Sequence, residues 1–347
     1  MRTFGIAAAL AVAALAAPVA AQDVNDAPLT ENWAPSEFGA DDMAGSVNRT
    51  TPEMVMKAVG LVKQGKTATL GKVYAGDAPA FGSRGWRMTI PGLPTGGPFG
   101  SHQLVYNDEY LATEIGQIGT QFDGPGHIGA ITSKGMFFYN GRMIDHDPAI
   151  GAYGMGPLGV EHVAEKGFVC RGVLLDAVAL KGGTLPIPAG GAGAEGIITP
   201  ADIEAMVKAQ GIAPIGEGDC VFLYTGHGDL WDPHGWDGFT AAEKAERKDK
   251  FNSGEPGFGI SACEYMAERK IILTGADTWA TEAVPGENVD KPFECHLQLQ
   301  TRRGIWNLEN LDLSQLVADK AYEFLFVWSP LKMKGATGSP GNPVALY

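Results

Sequence analysis

Basic charge is what this sequence has least of: 26 Lys and Arg stand against 40 Asp and Glu, a formal net charge of −14. A surface this acidic repels phosphate backbones and anionic headgroups, so nucleic acid and anionic lipid are poor partners. Cysteine is also scarce. Cys170, Cys220, Cys263 and Cys295 lie far apart with no C-x-x-C spacing, which argues against a zinc ribbon or a thioredoxin-like redox motif. Export would permit disulfides, but buried free thiols serve equally well in a chain this long. No complete G-x-S-x-G elbow is present: Gly259-Ile-Ser261-Ala-Cys263 lacks the second glycine and a preceding strand, which argues against a serine hydrolase. Internal repeats, low-complexity tails and long linkers are missing too.

What is there begins with a leader. Arg2, an Ala/Val/Leu run and then Val19-Ala20-Ala21 before Gln22 read as a secretory signal over residues 1–21, because the apolar run is too short for a membrane span. The mature chain, 22–347, is expected to be soluble and periplasmic or secreted, with no membrane contact once the leader is removed. With 45% hydrophobic and 19% charged residues it has the composition of a globular domain.

Thr51-Pro52-Glu53 and Thr199-Pro200 carry helix-start punctuation, a cap followed by proline at the first helical position; the helices should close at Gly65 and Gly211. Strands are expected in 67–75, 168–180, 219–226, 270–277, 304–311 and 322–330, with a helix over Ser261–Lys270. The alternation implies a mixed α/β domain. Residues 71–113, with PGLPTGGPFG at their extreme, read as a long loop or lid. GMGPLG (154–159) and GAGAEG (191–196) match G-x-G-x-x-G, yet neither directly follows a predicted strand, so a dinucleotide site is not expected.

The most informative segment is Gly116-Gln-Ile-Gly-Thr-Gln-Phe-Asp-Gly-Pro-Gly-His-Ile-Gly129. In an extended strand Gln117, Gly119, Gln121 and Asp123 share one face, and the Gly-Pro-Gly turn would bring His127 beside them as a polar cup. Glycines 116, 119, 124 and 126 would let backbone or substrate come close. A turn in which Asp123 caps a backbone amide and His127 is structural is the plainer alternative. The acidic, aromatic stretch 227–239, with His227, Asp229, Asp232, His234 and Asp237, reads as a solvated loop before it reads as a substrate entrance. Asp145-His146-Asp147 reads as a turn and cap, and Glu161-His162 as helix surface.

This segment resembles the H-x-G-T-H-x-D-x-P-x-H signature of the cyclase family of metal-dependent hydrolases, the kynurenine formamidase-like and isatin hydrolase-like enzymes. Gly119, Thr120, Asp123, Pro125 and His127 are in register, while Gln117 and Gln121 stand where the family has metal-binding histidines. GDCVFLYTGHG, PGFGISACEYMAERKIILTGADTWATE and CHLQLQTRRGIWNLENLDL resemble later family segments in the same order. The resemblance implies a single α/β domain with a curved mixed sheet flanked by helices, the swivelling β/β/α type, and a homodimer or homotetramer. It also implies a divalent ion, Mn or Zn with Mg or Ca as alternatives, near Gln117, Gln121, Asp123, His296 and Glu309.

Because a neutral amide oxygen is a harder ligand than imidazole, the glutamines favour manganese, magnesium or calcium over zinc. Three arrangements stay open: a mononuclear site on Gln121, Asp123, His296 and Glu309; a site recruiting another histidine such as His102 or His227; or no metal, with Asp123 and His127 as an acid/base pair. The implied function is hydrolysis of a small amide or lactone, linear or cyclic, on an aromatic or carboxylated molecule, with His127 as general acid/base. A cation for an anionic substrate would come from among Arg84, Arg87, Arg142, Arg302 and Arg303. A lyase or dehydratase using the same Asp123/His127 pair, or a non-catalytic periplasmic binding protein, are the rival readings.

Overall fold

The computed structural model describes residues 34–232 and 235–347, so the expected leader and His234 lie outside the described residues. Nine strands form one curled sheet in the order Thr67–Thr69, Val344–Leu346, Glu323–Trp328, Phe168–Asp176, Cys220–Tyr224, Leu273–Ala276, Trp306–Glu309, Gln121–Asp123, Gly338–Pro340. The four strands from Phe168–Asp176 to Trp306–Glu309 are parallel, and the strands outside them run antiparallel.

Both faces of the centre are buried, which explains the nearly continuous apolar runs. Register sorts them: Leu174 pairs with Phe222 and both enter one core with Phe122, Trp306, Leu308 and Phe326. Val173 pairs with Val221 and Leu175 with Leu223, and these enter the opposite core beneath the helices Pro200–Gln210 and Ile260–Glu268, with Ile203, Met206, Ala262 and Met266. This is the mixed α/β single domain expected. Among the described residues, no helix is long and apolar enough to cross a membrane.

The helix-start signals act as read. Thr51 caps Met54 N, and Thr199 with Asp202 makes a complete capping box. The first helix is shorter than expected, Pro52–Val59, and Gly60 follows it. The strand expected over 168–180 ends at Asp176, whose side chain accepts from Ala179 N and turns Ala177–Lys181 into a helix. Of 67–75 only Thr67–Thr69 is a strand. Residues 71–113 are not simply a loop: Trp86–Thr89 pairs with Tyr110–Thr113 and Gly96–Phe99 with Leu104–Tyr106, two ribbons that join no other strand.

All four cysteines are paired, Cys170 with Cys220 and Cys263 with Cys295. The second bridge ties the helix Ile260–Glu268 to the residue just before His296.

Candidate active site

Gln121 and Asp123 are fixed by strand register. Gln121–Asp123 pairs antiparallel with Trp306–Glu309, setting Gln121 opposite Glu309 and Asp123 opposite Asn307. Alternation sends Phe122 and Leu308 into the core and leaves Gln121, Asp123, Asn307 and Glu309 together on the other face. The expected extended run 117–123 is a strand only over Gln121–Asp123; Gln117 arrives from a turn closed by Gln117 N on Glu114 O.

Gln117 still reaches the same place, its Nε2 donating to Asp123 Oδ1 at 2.6 Å. The glycines of this segment serve packing rather than substrate: a Cβ on Gly116 would come within 2.7 Å of the Gly338 carbonyl carbon, and one on Gly119 within 2.5 Å of the Tyr74 ring.

His296 comes from the opposite side, on a short helix that continues as a π-helix over Leu297–Thr301. Such wide turns recur at functional sites. This one carries both His296 and Gln300 into the cluster. His296 Nε2 lies 3.4 Å from Asp123 Oδ2 and 3.3 Å from Glu309 Oε1. On the far side of the ring, Nδ1 is hydrogen-bonded to Glu282, whose carboxylate also accepts from the backbone N–H groups of Cys295 and His296 at 3.0 Å each. Asp123, His296 and Glu309 are all buried, and each offers a ligand atom within 4.8 Å of the other two. These three fit a divalent ion.

Gln121 Nε2 donates to Glu309 Oε2 at 2.6 Å and to Gln117 Oε1 at 2.9 Å. The two amides thus satisfy the carboxylates, with Gln117 Oε1 engaged by Gln121 and the Gln121 oxygen left over. Gln300 Nε2 approaches Asp123 Oδ2 at 3.4 Å, while its buried Oε1 has no hydrogen-bond partner. Thr281, Phe293 and Asn310 have φ of 64°, 59° and 55°, each one to three residues from Glu282, His296 or Glu309. Left-handed backbone at a β-branched threonine costs energy, and its clustering around one site is a mark of function.

The electrostatics follow from burial among three carboxylates. Burial opposes charge on Asp123, yet His127, His296 and the Gln117 amide outweigh it and hold this carboxyl well below the usual range. Burial and the charge of Asp123 push Glu309 up to about 8. Burial would also discharge His296, but hydrogen bonds to Asp123, Glu282 and Glu309 raise it well above the ordinary imidazole value. Glu309 and His296 both hold protons more tightly than usual because negative charge is crowded here, and a cation that displaced those protons would meet the same demand.

His127, partly exposed at the rim, has its Nε2 3.7 Å from Asp123 Oδ1. Burial, with His296 and Arg84 nearby, lowers its pKa against the pull of Asp123, so its ring is neutral at neutral pH. Aromatic rings lead outward from the cluster: His296 meets Phe293 at 5.7 Å, Phe293 meets Trp279 at 6.3 Å, Trp279 stacks on Phe81 at 4.4 Å, and Arg84 lies over Phe81 at 5.6 Å.

The other sequence candidates fall elsewhere. His227 is buried against Phe251, bonding its carbonyl, and His102 is exposed on the outer ribbon, so neither joins the cluster and the arrangement recruiting them is not formed. Among the arginines, Arg84 lies over Phe81 at this rim and Arg302 lines a cavity with Ile128 and Phe293; Arg302 and Arg303 bond Gln298, and Arg87 sits on a ribbon strand. The 227–239 stretch is not simply a solvated loop: it holds two 3-10 turns that bury His227, Trp231 and Trp236, while Asp229 accepts from Tyr224, Asp232 caps Gly235 and Asp237 is fully exposed. The helix start after GAGAEG is closed by Asp202, which Lys181 also binds, leaving no phosphate cradle. Ser261 bonds Glu287 and has no base. Glu282 and Gln300 were not singled out in the sequence. The spacing of Gln300 four residues after His296 is the one signal that pointed to it.

Comparison with known proteins agrees with this fold. The crystal structure of a novel cyclase superposes with a TM-score of 0.74 at 28% identity, over 91% of this chain and 99% of that one. An isatin hydrolase bound to the product analogue thioisatinate gives 0.55 at 18% identity, over 86% and 99%. Isatin hydrolase A from Labrenzia aggregata, bound to benzyl benzoate, gives 0.53 at 21% identity, over 83% and 94%; these last two show a shared fold. No curated protein matches the chain significantly. The sequence pattern named Cyclase matches residues 52–283, a stretch that contains Gln117, Gln121, Asp123, His127 and Glu282. The chain belongs to the cyclase family.

Proposed function

We propose that the protein is a metal-dependent hydrolase of a small amide or lactone, with an aromatic, anionic substrate. One observation carries this reading: three buried ligand atoms of Asp123, His296 and Glu309 converge within 4.8 Å beside a neutral, partly exposed His127. A divalent ion bound there supplies Lewis acidity and brings the pKa of water down from about 15.7 towards about 7. With two carboxylates, one imidazole and the amide oxygen of Gln121 at hand, the donor set favours manganese, magnesium or calcium over zinc.

The chain's own residues supply the rest. The free nitrogen of the His127 ring accepts the proton of the attacking water and returns it to the leaving nitrogen or oxygen as the acyl bond breaks, while Asp123, beside Nε2, orients the ring. Glu282 fixes the tautomer of His296 through Nδ1. Phe81 and Phe293 offer an aromatic wall, and Arg84 a cation for a carboxylate. A binding protein without catalysis is favoured by one observation, the mutual satisfaction of both glutamines by the carboxylates. The leader-like segment and the two disulfides support a periplasmic or secreted location.

Elemental analysis of protein purified without chelator, beside Asp123→Ala, tests the metal; stoichiometric ion lost in the variant is expected. In His127→Asn, turnover of amide substrates should fall by about 100-fold or more with ligand affinity spared. Unchanged turnover in that variant, or no bound ion and no thermal shift with added metals, would overturn the reading.

A further inference from the structure

Three buried amide oxygens among the described residues have no hydrogen-bond partner: Asn252 Oδ1, Gln300 Oε1 and Asn310 Oδ1. Leaving such an acceptor unmade in a protein interior costs free energy, so each calls for a reason. Asn252 and Asn310 donate to the carbonyls of Ala80 and Gly119, away from the carboxylates. Gln300 is different. It is only 2% exposed, and its Nε2 lies 3.4 Å from Asp123 Oδ2.

A half-turn of a terminal amide exchanges its nitrogen and oxygen without moving the rest of the side chain. For Gln300 that turn gives up one long contact. Gln117 and Gln121 donate to Asp123 and Glu309 at 2.6 Å each, so either would break a short, charge-assisted bond by turning. The spacing suits a ligand as well. Donors about 2.0–2.5 Å from one ion and at right angles to each other stand about 2.8–3.5 Å apart. His296 Nε2 lies 3.4 Å from Asp123 Oδ2 and 3.3 Å from Glu309 Oε1, and the Gln300 amide head keeps the same 3.4 Å from that Asp123 oxygen. His296, just before the π-helical turn Leu297–Thr301, and Gln300, within it, thus approach one carboxylate oxygen together. Gln300 also lines a cavity of about 10 Å³ with Thr274, Glu282 and Asn307. That is room for about one water, and its walls carry oxygen acceptors for a displaced NH2 group.

We propose that Gln300 is a further ligand of the metal: with an ion on Asp123, His296 and Glu309, the Gln300 amide turns and its Oε1 joins the donor set. The inference rests on the metal reading given above. In the empty cluster the amide faces Asp123 with its nitrogen, and the ion gives the unpartnered oxygen its partner. An amide oxygen is a donor of the kind that calcium and other hard ions accept.

Calorimetric titration of the chelator-stripped protein with Mn2+, beside Gln300→Leu and Gln300→Glu, tests this. Leucine is close to glutamine in size and carries neither donor nor acceptor. Its metal-free thermal midpoint should equal or exceed that of the parent, because the orphaned acceptor is gone. Its Mn2+ affinity should fall by about 10- to 100-fold, the loss expected even of a residue one step removed from the ion. Gln300→Glu keeps an oxygen there and should bind Mn2+ at least as tightly as the parent. A Leu variant with parental affinity, or a folded Glu variant that binds more weakly, overturns the inference and leaves the metal reading standing. A parent that takes up none of manganese, zinc, magnesium or calcium overturns the metal reading, and the inference with it.

Discussion

Glu282 accepts from His296 Nδ1 and from two successive backbone N–H groups, so one carboxylate fixes a ring, its tautomer and the chain that carries it. Removing its charge in Glu282→Gln should lower divalent-ion affinity by about 10- to 100-fold in calorimetric titration while leaving the fold intact. Nothing in the sequence marks Glu282, because its partner lies fourteen residues on and the two meet only through the fold. Gln117, Gln121, Asp123 and His127 were legible because one short segment carries them all; His296 and Glu309 were legible through the family resemblance. Asp277 is a second buried carboxylate with a testable consequence. It accepts from Thr225, Gly226 and Gly228, and burial still raises it to about 6. Its folded value exceeds the ordinary 3.8, so the native state holds this proton more tightly. That stabilisation is complete below about pH 4 and lost as pH rises through 6. Thermal unfolding of Asp277→Asn should lack this falling component between pH 4 and 6, at a midpoint lowered because the amide cannot accept all three backbone donors.

At the scale of elements, the sequence was most readable where local chemistry and tertiary demand agree. Both Thr-Pro starts became helices because cap and proline satisfy the backbone before any packing is needed. The reading failed where a side chain overrode a run of apolar residues: Asp176 ended a strand that periodicity would have continued through Leu180. It failed again before Gln121, where the extended run expected from Gln117 is a turn, although the glycines there admit neighbouring groups closely as expected. Gly119→Ala tests that close approach. Its Cβ would meet the Tyr74 ring at 2.5 Å, so overpacking should cost about 1–3 kcal/mol in denaturant unfolding, with substrate affinity changed far less than stability.

The described residues are held by two large cores, one on each face of the sheet, a smaller cluster around Trp231, Phe251 and Trp279, and two bridges that serve the large cores differently. Cys170–Cys220 lies within the sheet core. Cys263–Cys295 joins a helix to the neighbour of His296, across 32 residues. A loop of that length contributes about 3–4 kcal/mol by chain entropy. Cys263→Ser with Cys295→Ser should lose that much stability and also weaken metal binding, whereas Cys170→Ser with Cys220→Ser should lose stability while the remaining folded protein binds metal as before. Paired thermal melts and metal titrations separate the two.

That second bridge also sets an order of events. Until Cys263 and Cys295 are joined, the main chain that presents His296 has no covalent anchor to the helix behind it. On the proposed reading, a chain whose bridge is still open would hold His296 through the Glu282 contacts alone and reach its full metal affinity only once Cys263 and Cys295 have joined.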